Sequence, residues 1–137
     1  MQSARRAVLT AVIAVVSLGV FASFAAARPG AQIPQPSLSC LQNAMTTADM
    51  NTCIGAAYAK AQKQLAAAYA KVLASAQGDK AVLKAAQAKW IAYRDADCAY
   101  SASLNAGGTL AGVDKGICLV RDTIDRANAL RDELGTS

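Results

Sequence analysis

Residues 46–76 read TTADMNTCIGAAYAKAQKQLAAAYAKVLASA, and this stretch decides the fold class. Its apolar positions Met50, Ile54, Ala57, Ala61, Leu65, Ala68 and Val72 recur at spacings of 4, 3, 4, 4, 3 and 4, which trace one face of an α-helix. Lys60, Lys63, Gln64 and Lys71 fall largely on the other side. Thr46 is placed to cap the helix, and Asp49, three residues on, favours its positive end. Gly78 is a good C-terminal stop and Asp79 a good next cap, so the helix is expected to run to about Ala76.

A second helix is expected from about Lys80 to Ser103, where Leu83, Ala86, Trp90, Tyr93 and Asp97 recur at spacings of 3 and 4. The glycines of Asn105-Ala106-Gly107-Gly108-Thr109 permit backbone angles that other residues avoid, so this segment reads as a loop. A third helix is expected from near Asp114, with Ile117, Val120, Ile124, Ala127, Leu130 and Leu134 as its apolar face and Gly135 at its end. No stretch shows sustained strand alternation. The expected fold is all-α: a long helical hairpin turning at Gly78, plus a third helix.

The N-terminal end has a different character. Arg5 and Arg6 charge a short leading segment, no charge occurs from Ala7 to Ala27, and Ala25-Ala26-Ala27 supplies the small residues of a cleavage site. Residues 1–27 therefore read as a secretory signal peptide cut near Ala27. A membrane anchor fits less well, because a Pro-rich stretch follows and no Trp or Tyr flanks the apolar run. The Arg5–Arg6 pair fits a twin-arginine signal poorly, and Cys40 lies too far beyond the apolar run to be a lipid-modified terminus. Residues 28–39, rich in Pro, Ser and Gln, read as a flexible leader, and 40–137 as one helical domain. A periplasmic or secreted protein with no membrane span after cleavage is the expectation.

Without Arg5 and Arg6 the chain keeps 12 basic and 9 acidic side chains, a balance of +3 too mild to indicate nucleic acid. Large apolar residues are scarce: Trp90 is the single tryptophan, and both phenylalanines lie before residue 28. An alanine-rich core buries little area, so burial at roughly 25 cal/mol per Å² leaves a thin margin over chain entropy. Cys40, Cys53, Cys98 and Cys118 answer that deficit as two disulfides. A metal site or catalytic thiol is disfavoured, since no Cys-x-x-Cys pair exists and the chain has no histidine. In a hairpin about Gly78 all four cysteines gather at one pole. Three pairings are open, and the layout leans towards Cys40–Cys98 with Cys53–Cys118.

The sites weigh against catalysis. Histidine, the commonest general base, is missing, disulfides would occupy the thiols, and the carboxylates are scattered at spacings typical of solvated helix faces. No phosphate loop or metal-ligand cluster occurs, so neither an enzyme nor a cofactor is expected. Trp90 and Tyr93 are expected in the core. Arg94 is expected in an intramolecular ion pair, with Asp122 or Asp125 as partners on the third helix, and Gln87 as a satisfied polar group. Asp95, Asp97, Asp122, Asp125, Asp132 and Glu133 offer the material for a local acidic patch. Asn105, Gly107, Gly108 and Thr109 form the best loop for contacting a partner, although a plain connection accounts for them too.

The run Leu83-x-x-Ala86-Gln87-x-x-Trp90-Ile91-x-Tyr93-Arg94-Asp95-x-x-Cys98 resembles the signature of the lysozyme-inhibitor LprI-like N-terminal domain family. Matching pieces surround it in order: Cys40, Thr47-x-x-Met50-Asn51-x-Cys53, Leu65, Tyr69, Gly107-Gly108-Thr109, Cys118 and Thr123-x-x-Arg126-Ala127-x-x-Leu130. Gln62 and Ala66 depart from it, standing where the family often carries Asp and Asn. The resemblance implies a small exported bacterial helical protein that binds and blocks lysozyme or another cell-wall hydrolase. In that case Gln87, Trp90, Tyr93, Arg94 and Asp95 are a structural signature. The alternative is a non-catalytic structural or adaptor module of the cell envelope.

Overall fold

The computed structural model describes residues 34–35, 38–75 and 78–135, so the expected signal peptide and most of the leader lie outside the described residues. A 3₁₀ turn, Ser39–Asn43, precedes three helices: α1 (Thr47–Ala74), α2 (Lys80–Ser103) and α3 (Ala111–Gly135). No strand occurs among the described residues.

The helix ends follow local chemistry. Asp49 N–H donates to Thr46 Oγ1 (3.1 Å) and Thr46 N–H donates to Asp49 Oδ2 (3.0 Å), which closes a capping box at the start of α1. The hydrogen bonds from the Thr46 side chain and backbone, and from the Met45 N–H, hold the Asp49 carboxyl below its ordinary value. Gly78 takes φ +64°, a left-handed conformation that glycine adopts without strain. Asp79 then caps α2, accepting from Ala81 N–H at 2.7 Å. The third helix starts at Ala111, three residues before the expected Asp114. Val113 is buried, and winding the helix from Ala111 turns it into the core.

α1 buries Cys53, Ile54, Ala57, Ala61, Leu65, Ala68 and Val72, the face expected from its spacing except for Met50, which is half-buried. Its upper part packs with Ile124, Ala127 and Leu130 of α3, its lower part with Val113 and Val120, so α1 and α3 run parallel. Alanines let them approach closely: a Cβ added at Gly116 would lie 2.4 Å from Ile54 Cγ2. α2 runs antiparallel to α3. The hairpin about Gly78 forms, but α3 is the shared neighbour of both arms, and the α1 and α2 backbones approach each other little. α2 buries only Gln87, Arg94 and Cys98.

The disulfides are Cys40–Cys53 and Cys98–Cys118, with Cα–Cα distances of 5.9 and 5.5 Å. This overturns the leaning towards Cys40–Cys98 and Cys53–Cys118. The 3₁₀ turn folds back on α1 and packs Leu38 and Leu41 against the Ile54 cluster, which brings Cys40 to Cys53. Cys98 and Cys118 face each other across the α2–α3 seam. One bridge fastens the entry turn to α1, and the other fastens α2 to α3.

Candidate functional site

The seam between α2 and α3 is built around a buried guanidinium. Arg94 is 7% exposed. Its Nη2 and Nε donate to Asp95 Oδ1 at 2.7 and 3.0 Å, and Nη1 lies 3.5 Å from Thr123 Oγ1 on α3. The flat group sits over the Trp90 ring at 5.1 Å and the Tyr58 ring of α1 at 5.9 Å. Cation–π attraction and a planar donor fork thus tie all three helices to one side chain. One turn away, Arg126 Nε donates to Gln87 Oε1 (3.1 Å), and its guanidinium lies 6.0 Å from the Trp90 ring. Gln87 is therefore a satisfied buried polar group, as expected.

One expectation about this region holds in its main part and one does not. Arg94 is in an intramolecular ion pair, though with neighbouring Asp95 and not with α3; Asp122 pairs with Arg121 (2.9 Å) and Asp125 accepts from Gln35 Nε2 (2.8 Å). Nor is Tyr93 in the core: it is 64% exposed, whereas Trp90 is half-buried against the core. The physical reason is helical phase. The inward face of α2 is Leu83, Gln87, Trp90, Arg94 and Cys98, at spacings of 4, 3, 4 and 4, and Tyr93 lies about 100° round the helix from Arg94, on the solvent side.

Beside the seam, Trp90, Tyr93, Asp97, Asp122, Asp125 and Arg126 line an open groove of about 360 Å³. Asp97 and Asp122 also lie beside Cys98 and Cys118, with ligand atoms within 4.8 Å of one another. Both sulfurs are spent on the disulfide, so the cluster offers two carboxylates and no thiolate. The six acids named from sequence do not form one patch. Asp97, Asp122 and Asp125 share this groove, Asp95 faces Arg94, and Glu133 lies near Asp79 and Lys80 at the other end of the molecule. Gln62 and Ala66 line a second, smaller groove of about 250 Å³ with Leu65, Tyr69, Gln87 and Ile91, between α1 and α2.

The loop from Asn105 to Thr109 is exposed throughout. Gly107 has φ +80°, Gly108 N–H donates to Asn105 C=O at 2.9 Å, and the Asn105 side-chain amide donates to Asp114 in the first turn of α3. The loop is thus pinned at its base and open at its tip, and it stands apart from the Arg94 seam. Sequence reasoning missed Tyr58 as a ring for Arg94. Its signal was an aromatic one position beyond Ala57 on the buried face.

The model of one protein family, described as lysozyme inhibitor LprI, matches residues 39–130. No curated protein and no solved structure gives a match.

Proposed function

Since residues 39–130 are well over half of its length, the chain belongs to the lysozyme inhibitor LprI family, and we propose that it binds lysozyme or a related cell-wall hydrolase outside the cytoplasm and blocks its cleft. The family match is the observation that carries this reading. The two disulfides support it, because such bridges persist in oxidising compartments. Among the described residues no helix is long and apolar enough to cross a membrane.

A blocking role needs a rigid scaffold and a presented contact, with no chemistry of its own. In this reading Gln87, Trp90, Arg94 and Asp95 are scaffold: they fix α2 on α3. Tyr93, being exposed, stands outside that scaffold. The loop carrying Asn105, Gly107, Gly108 and Thr109 is the contact, pinned by Asp114 so that little entropy is lost on binding. Residues 1–27 act as a cleaved signal in the same reading. Lysis of a cell-wall suspension by lysozymes of several types, with the oxidised protein in excess, tests the function. Inhibition is expected, and undiminished lysis by all of them refutes it. Asn105→Ala, which frees the loop base, is expected to weaken inhibition while leaving the melting temperature nearly unchanged.

A further inference from the structure

α2 carries a second stripe that the fold does not use. Val82, Ala86, Lys89, Tyr93, Asp97, Tyr100 and Leu104 recur at spacings of 4, 3, 4, 4, 3 and 4, the same series by which α1 builds its buried face. At about 100° per residue they fall within roughly 40° of the Tyr93 direction, in a line about 33 Å long. Yet Val82 is 65% exposed, Tyr93 64%, Tyr100 67% and Leu104 68%. Beside them Ala85, Ala92 and Ala96 are exposed as well. A helix that packs Leu83 and Trp90 against the core on one side and leaves Val82, Tyr93, Tyr100 and Leu104 exposed on another has the pattern of a helix with two neighbours.

The stripe also reads the same in both directions about Tyr93. Laid antiparallel on a second copy with Tyr93 on the two-fold axis, Val82 meets Leu104, Ala86 meets Tyr100, and Lys89 meets Asp97. Each pairing is complementary: apolar on apolar, small on large, cation on anion. Neither Lys89 nor Asp97 has a hydrogen-bond or ion-pair partner among the described residues. The groove beside Asp97 holds Asp122 and Asp125 together with Arg121 and Arg126, and Asp122 is already paired with Arg121, so Asp97 is the carboxylate left for an incoming Lys89. The exposed alanines leave room for the second helix to come close, and repeats of 11 residues give such a seam a slight right-handed supercoil, about 20° per repeat.

We propose that α2 is a self-association surface, forming a two-fold antiparallel dimer centred on Tyr93. The proposal does not depend on the hydrolase-binding reading. One helix face is a small interface, so the dimer is concentration-dependent, with Kd on the order of 10–100 μM. Sedimentation equilibrium on the full chain, purified with its disulfides intact, is expected to show the mass doubling across that range. Lys89→Asp or Asp97→Lys alone juxtaposes like charges twice per dimer and is expected to weaken it roughly 10- to 100-fold. The double charge swap K89D/D97K is expected to restore it. A monomer persisting to about 1 mM overturns the proposal, as does a dimer that the double swap fails to rescue. If the wild type stays monomeric while Lys89→Asp abolishes inhibition of lysis, the face belongs to the hydrolase and self-association is refuted.

Discussion

The two disulfides close loops of similar size but are expected to matter unequally. Cys98–Cys118 spans 20 residues and Cys40–Cys53 spans 13. On loop-closure entropy alone they contribute about 3.3 and 2.9 kcal/mol. Their positions break that near-tie. α2 buries only three side chains, so the Cys98–Cys118 bridge is a main fastening between it and the α1–α3 pair. By contrast, the Ser39–Asn43 turn buries no residue and can detach while the helices stay packed. The Cys98→Ala/Cys118→Ala variant is therefore expected to lose about 3 kcal/mol or more globally, a fall of roughly 12–25 °C in melting temperature. The Cys40→Ala/Cys53→Ala variant is expected to lose clearly less, because fraying of the turn absorbs the change. Thermal denaturation followed at 222 nm gives the ordering, and hydrogen exchange gives the location. Amides of α2 should lose protection in the first variant, and only those near residues 38–50 in the second. Full reduction removes both bridges and is expected to unfold the domain. Equal losses from the two variants, or a reduced protein that stays helical and thermally stable, would refute the argument that covalent fastening substitutes for a thin core.

Four further outcomes follow from single sites. Gly116→Ala places a Cβ 2.4 Å from Ile54 Cγ2 and is expected to destabilise by about 1–3 kcal/mol; adding Ile54→Leu, which removes that methyl, should recover part of it in a melting experiment. Arg94→Lys keeps the charge but loses the planar fork, and should cost about 1–2 kcal/mol in chemical denaturation. Asp95→Asn, at a side chain 56% exposed, should cost less than about 1 kcal/mol. The Asp49 carboxyl is held below its unfolded value, so its stabilisation is complete above that value and fades as pH falls through the folded one. NMR titration should therefore show the first turn of α1 loosening below about pH 4, with Thr46→Ala moving the Asp49 midpoint upward.

Much of the fold was legible because its cause is local. The α1 face from Ile54 to Val72 declares itself by spacing, and Thr46, Asp49 and Asp79 are capping residues whose partners lie within three positions. The disulfide pairing was not legible. It depends on Leu38 and Leu41 folding back onto the Ile54 cluster, a tertiary event that cysteine spacing does not encode. For Tyr93 aromatic character suggests burial, whereas the inward face of α2 is phased on the polar Gln87 and Arg94 and on Cys98, which apolar periodicity does not mark. Likewise the pairing of Arg94 is legible, yet its contacts draw on all three helices: Asp95 and Trp90 on α2, Tyr58 on α1 and Thr123 on α3. The Asn105–Asp114 tie lies between loop and helix, where periodicity is silent.

The buried Arg94 has one more consequence. A helix resting on another through methyl groups alone can roll about its own axis at little cost, because apolar contact has no direction. A guanidinium wedged between two rings and aimed at a hydroxyl has a direction, and it tolerates few angles of roll. Arg94 therefore acts as the key in a shaft. It sets the azimuth of α2, and with it the bearing on which Tyr93, Asp97 and Tyr100 point away from the molecule. What this helix shows to its surroundings is decided by the one side chain it hides most completely among its charges.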